Sequence, residues 1–173
     1  CAGSTPTDLL KAVAGGLDVV ASAGEAIEVK SNPTTQVIVR KDSGIKSPAD
    51  LKGKAIAAPT VGAVIHVATL YWLKKNGVDP ASIRAVEVPF PNMGDQLKAG
   101  NVDAVEALEP FTGALLAAGN VSLGDPLLAA GDEVLFPFWI SDGTWARANR
   151  PVIKAWIDAL TAAKADMDAN PAD

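Results

Sequence analysis

The stretch AIAAPTVGAVIHVATLYWLKKNG, residues 55–77, places a strand, a turn and a helix in immediate succession. Ala55 to Ala58 is a short apolar run without polar alternation, the pattern of a strand covered on both faces, and Pro59 closes it. From Gly62 to Asn76 the period changes: Ile65, Thr69, Trp72 and Leu73 recur at steps of three and four, with Ala68 beside them. Lys74 and Lys75 fall in the last turn, where the helix dipole favours cations, and Gly77 supplies the left-handed stop. Pro80 blocks any continuation.

The same alternation extends to either side. Downstream, Ile83 to Val88 reads as a strand ended by Pro89, Met93 to Ala99 as a helix capped by Asn92 and ended by Gly100, and Asp103 to Leu108 as a strand. A helix from Pro110 to Ala118 follows, then strands at Val121 to Leu123 and Phe136 to Ser141. Pro151 to Ala169 is a long amphipathic helix with Ile153, Trp156, Ile157 and Leu160 as its buried stripe. Upstream, Thr7 to Ala14 is helical up to Gly15-Gly16, Leu17 to Ala23 is a β-rich run, and Thr34 to Arg40 is a β-branched strand. Ser47-Pro48-Ala49-Asp50 combines a capping serine, a first-turn proline and an acid. Strands separated by helices predict an α/β fold with parallel-rich sheets covered on both faces.

Composition narrows the function. The 173 residues carry 15 Lys+Arg against 20 Asp+Glu, a net charge of −5, which argues against a nucleic-acid partner. Hydrophobic residues make up 49% and charged residues 20%, a globular and not a disordered composition. One Cys and one His supply neither an internal disulfide nor a Cys-rich zinc site, so no metal is expected. There is no phosphate-binding glycine loop with its lysine, no Gly-x-Ser-x-Gly elbow and no His-x-x-x-His pair, so neither a cofactor nor an enzymatic activity is expected. No apolar run reaches the roughly 18 residues that a bilayer requires.

In open α/β sheets ligands lie beyond the carboxyl ends of strands, where helix N-termini point their amides. Three turns fall at such places: Pro59-Thr60-Val61-Gly62-Ala63, Phe90-Pro91-Asn92-Met93 and Glu109-Pro110-Phe111. Thr60, Val61, Gly62, Ala63, Asn92 and Glu109 are therefore candidate ligand contacts; Glu109 reads equally as a helix-capping carboxylate. His66, one turn into the long helix, faces either the ligand or the helix packing. Cys1 with His66 lacks a third, orienting residue, and Glu106 and Glu109 straddle a strand end, which makes a poor acid/base pair. Trp72 and Trp156 read as helix core, Trp139 and Trp145 as walls of a cleft. Cys1-Ala2-Gly3-Ser4 has the look of a lipid-bearing lipoprotein start, but a lone cysteine is weak evidence and the preferred reading is a sequence that opens inside a longer gene.

Several ordered pieces carry a resemblance. They are Val39-Arg40-Lys41-Asp42-Ser43-Gly44-Ile45, Ser47 to Lys54, Leu70 to Pro80, Gln96 to Ala104 and Glu109-Pro110-Phe111, with weaker coverage over Ser4 to Leu10 and Trp145 to Asn149. Together they resemble the periplasmic solute-binding proteins of bacterial ABC importers for nitrate, sulfonates, taurine and thiamine-pyrimidine precursors, the NMT1/THI5-like and SsuA-like group. The resemblance implies a two-lobed, type II clamshell of which this chain is a fragment with lobe one incomplete. It places residues 1–35 in lobe one with the first hinge crossing, 36–106 in lobe two, and 107–173 in the second crossing and the return to lobe one. It adds Ser4 and Thr5 to the candidate ligand contacts. It implies a small-molecule solute, a membrane permease as partner, a periplasmic or extracytoplasmic location with a lipid anchor in the full-length protein, and no chemistry.

Thr60 to Val64 carries fewer hydroxyls than the family's usual loop, and with Glu109 this favours an apolar, aromatic or donor-bearing ligand over nitrate or a sulfonate. The alternative functions are an enzyme on the same scaffold, a pyrimidine-precursor synthase or a desulfinase, and the effector domain of a transcription regulator. The apolar faces around Leu9, Leu10, Val13 and Trp156 predict homo-association of the chain.

Overall fold

The computed structural model describes residues 1–170. In chain order the elements are β1 (Ala2–Ser4), α1 (Pro6–Ala14), β2 (Val19–Gly24), β3 (Ile27–Val29), β4 (Thr35–Val39), β5 (Ala55–Ala58), α2 (Val64–Lys75), β6 (Arg84–Glu87), α3 (Phe90–Ala99), β7 (Ala104–Leu108), α4 (Phe111–Ala117), β8 (Val121–Gly124), β9 (Glu133–Leu135), β10 (Phe138–Asp142), α5 (Gly143–Ala148) and α6 (Arg150–Ala169). Short 3₁₀ turns lie at Pro48–Leu51, Pro80–Ser82 and Leu127–Ala129. Two compact units result, one of Cys1–Ala26 with Leu135 onward, the other of Ile27–Val134.

The second unit is built on a five-stranded sheet of order β6-β5-β7-β4-β8. β5 runs parallel to β6 and β7, whereas β4 runs antiparallel to β7 and β8. Period-2 alternation splits each central strand between two cores. Val105 and Ala107 point toward Met93, Leu97 and Leu115 of α3 and α4, while Ala104, Ile56 and Val37 meet Trp72 and Leu73 of α2. Ile38, Leu51, Ile56, Leu73, Met93 and Leu97 are almost wholly buried. Each such side chain contributes about 1.5–3 kcal/mol relative to exposure. At Ser47 the expected cap is a reciprocal one: Asp50 Oδ2 accepts the Ser47 amide at 2.9 Å and its hydroxyl at 2.9 Å.

The first unit has a three-stranded sheet with β10 in the middle, antiparallel to both β1 and β2. The expectation of parallel-rich sheets therefore holds only at the β6-β5-β7 end of the second unit. The first unit's sheet is assembled from the two ends of the chain, which return in opposite directions. α5 is capped by Asp142, whose Oδ1 accepts the Trp145 amide at 2.8 Å. The Asp18 carboxylate accepts from Arg147 and from Thr144. Its raised partner and lowered carboxyl follow from those bonds: Asp18 is held below the usual carboxylate range, chiefly by Arg147.

Within the second unit, which runs to Val134, β8 adds to β4 as an edge strand and β9 pairs with β3 in a separate two-stranded sheet. One sequence reading needs correcting. The stripe of α6 is not core: neither α1 nor α6 buries a residue, and Leu10, Val13, Val152, Trp156 and Ile157 are exposed. Trp156 instead sets its ring edge-on against Trp139, centroids 5.5 Å apart at 87°. Trp72 is buried as expected, and Trp145 is exposed on α5.

Candidate functional site

The three parallel strands end along one edge of the second unit's sheet, and each feeds a helix. β5 leads through Pro59–Ala63 to α2, β6 through Val88 and Pro89 to α3, and β7 through a cis Glu109–Pro110 bond to α4. This is the edge at which amide dipoles converge.

At the first turn, Gly62 takes φ 83°, a left-handed conformation that carries the chain from strand to helix and that other side chains resist. Ala63 occupies the N-cap of α2 and offers no side-chain acceptor to the first-turn amides. Thr60 is exposed, with Oγ1 donating to the Pro59 carbonyl at 2.9 Å. The Val61 amide donates to Glu87 Oε2 at 3.1 Å, which pins the turn to the end of β6. Thr60, Val61, Gly62 and Ala63 thus form one partly open turn.

The second and third turns meet through Phe90 and Phe111, whose rings stack with centroids 5.7 Å apart and 8° between planes. From this pair a groove of about 480 Å³ runs between α3 and α4, past Gly94, Ala114 and Leu115, to Arg40 and Lys98. Asn92 is exposed in the first turn of α3 and does not cap it; the helix begins two residues earlier because Pro89 and Pro91 suit its opening. Glu109 is exposed and its Oε2 accepts the Gly113 amide at 3.1 Å, so the structure gives it the capping role.

His66 turns inward. It is 4% exposed, and its Nδ1 lies 3.1 Å from Oε1 of Glu106, which is 0% exposed on β7. Burial pushes the Glu106 carboxyl above its ordinary range, and the bond and charge of His66 offset part of that rise. Oε2 of Glu106 is buried without a hydrogen-bond partner. His66 is therefore a buried tie between α2 and β7 and not a group presented to solvent.

In the first unit, Ser4 is 9% exposed and pairs in register with Phe138. Thr5 sits at the N-cap of α1, where Oγ1 donates to Asp8 Oδ2 at 2.7 Å. Cys1 Sγ is 3.1 Å from Ser141 Oγ.

Sequence reasoning missed Glu87, the Phe90–Phe111 stack and the His66–Glu106 pair. The pair had a signal: period 2 puts Glu106 on the face of Ala104, which packs against α2, and an acid on a buried face calls for a partner. The stack and the Glu87 anchor join separate loops and leave no local pattern.

The family model described as NMT1/THI5 like matches residues 2–173. The chain belongs to that family. A protein of Brachyspira hyodysenteriae assigned as an ABC transporter periplasmic binding protein is 31% identical over 160 residues, which is 86% of this chain and 46% of that protein. The periplasmic aliphatic sulphonate binding protein SsuA from Escherichia coli superimposes with a TM-score of 0.82 at 24% identity, over 98% of this chain and 56% of that one. The alkanesulfonate-binding protein SsuA from Xanthomonas axonopodis pv. citri, bound to MOPS, gives 0.80 at 25% identity, over 98% and 57%. The chain thus spans about half the length of these relatives and has their α/β fold.

Proposed function

We propose that this chain acts as the solute-binding part of an ABC importer, holding a small organic molecule of the sulfonate class and passing it unchanged to a membrane permease. The proposed setting is extracytoplasmic; no helix among the described residues is long and apolar enough to cross a membrane. In this reading Ile27–Val134 corresponds to one lobe and the remaining residues to part of the other.

The observation that carries the reading is the convergence of three helix starts at the carboxyl edge of β6, β5 and β7, in a chain whose family and fold are those of periplasmic binding proteins. The solute meets the second unit at Thr60–Ala63. There the first-turn amides of α2 lack a side-chain acceptor, which suits an anionic oxygen. The acidic Glu109, which in sequence argued against an anion, is occupied by the Gly113 amide. Phe90 and Phe111 lie at the neighbouring helix starts and offer apolar surface to the body of an organic solute.

Isothermal titration against ethanesulfonate, taurine, MOPS, nitrate and a pyrimidine tests the reading. Saturable binding of a sulfonate with the ligand recovered intact supports it. Turnover of any of these compounds, or binding of the pyrimidine alone, overturns it.

A further inference from the structure

The segments through which the chain enters and leaves the second unit are β3, with the start of β4, and the stretch that follows β8. Glu28 on β3 is 2% exposed and accepts three hydrogen bonds: the Thr34 amide at 2.5 Å, the Thr34 hydroxyl at 2.5 Å and the Thr35 amide at 3.0 Å. Across from it stands Asp125, whose Oδ1 accepts the Leu127 amide at 2.8 Å and the Leu128 amide at 3.3 Å. Asp125 Oδ2 is buried and meets no N–H or O–H donor. The 3₁₀ turn at Leu127–Ala129, which Asp125 precedes, packs against β3, so that the charge of Glu28 acts on the Asp125 carboxyl. Ionised carboxylates only accept, so a bond between two of them requires one proton.

We propose that Glu28 and Asp125 share one proton, carried by Asp125 and accepted by Glu28, and that this bond is a pH-sensitive latch fastening the entering strand of the second unit to its leaving segment. The division of labour follows from the donors. Glu28, with three, is held below the ordinary carboxylate range as an anion; Asp125, desolvated and facing that anion, is pushed up to about 7.

The other charged or titratable groups on the surrounding elements are Lys30 beyond β3, His66, Tyr71, Lys74 and Lys75 on α2, and Asp132 and Glu133 at β9. Lys75 is committed to the Ala129 carbonyl at 2.8 Å, and the charge that acts on Asp125 is that of Glu28.

The sign follows from linkage. Asp125 has a higher pKa latched than released, so the latch is fully favoured below the free-carboxyl range and weakens as pH rises toward the latched value near 7. Glu28 acts oppositely, but only below its free value of 4.5. Between pH 5 and 6.5 the local opening constant therefore rises about tenfold per pH unit, and it levels off above about 7.5.

Amide hydrogen exchange at Thr34 and Thr35, corrected for intrinsic rates, reads this directly, with the Asp125 carboxyl carbon shift as a second signal. The expected result is protection that falls in that manner, a carboxyl titration near neutrality, and a flat profile in Asp125→Asn, whose amide still donates to Glu28. Asp125 titrating below pH 5, or Asp125→Asn following the wild-type profile, overturns the proposal.

Discussion

Replacing His66 by Leu keeps the volume roughly constant but leaves Glu106, wholly buried on β7, without its partner. Removing one member of a buried charged or hydrogen-bonded pair costs about 3–5 kcal/mol. Protonation of Glu106 relieves part of this, which puts the cost near about 3 kcal/mol. For a cooperative unit of roughly 100 residues that is a fall in Tm of about 10–15 °C.

The pH dependence has a definite sign. Glu106 already lies above the ordinary carboxyl range, and losing His66 raises it further. A raised carboxyl gives stability that is present at acid pH and lost as pH rises through the folded value. His66→Leu should therefore be closest to wild type near pH 5 and furthest from it at pH 8. Calorimetric melts at the two pH values measure this, and the double variant His66→Leu/Glu106→Leu should recover most of the loss by removing the buried acid as well. A fall below about 3 °C for the single variant at pH 8, or a double variant as unstable as the sum of the singles, refutes the reasoning.

Gly143→Ala should destabilise the first unit by about 1–3 kcal/mol, since its Cβ would lie 2.1 Å from Asp18 Oδ1, an atom fixed by Arg147; denaturant melts check it. Glu87→Ala should free the Val61 amide, so that its hydrogen exchange quickens while that of β5 and β7 is unchanged. The exposed Leu10, Val13, Val152 and Ile157 predict that the chain self-associates, giving sedimentation coefficients that grow with concentration.

Much of the second unit was legible because its elements are local. Ala55–Ala58 has no polar residue, α2 keeps its period from Ile65 to Leu73, and glycine or proline marks nearly every boundary. β3, β9 and α5 escaped because three to six residues give too little periodicity, and pairing with distant strands stabilises them. β10 starts at Phe138 and not Phe136 because Pro137 interrupts the ladder. The site divides in the same way. The turn at Thr60–Ala63 could be found from strand, glycine and helix in sequence, whereas the orientation of His66 depended on Glu106, forty residues away on another strand.

The claim that the α2 turn receives the solute is tested most directly by a nitrogen–proton correlation titration of the chain with ethanesulfonate. The account predicts saturable shifts centred on the amides of Thr60 to Ile65, with the sulfonate unchanged afterwards. Saturable binding whose shifts leave those amides untouched would contradict it.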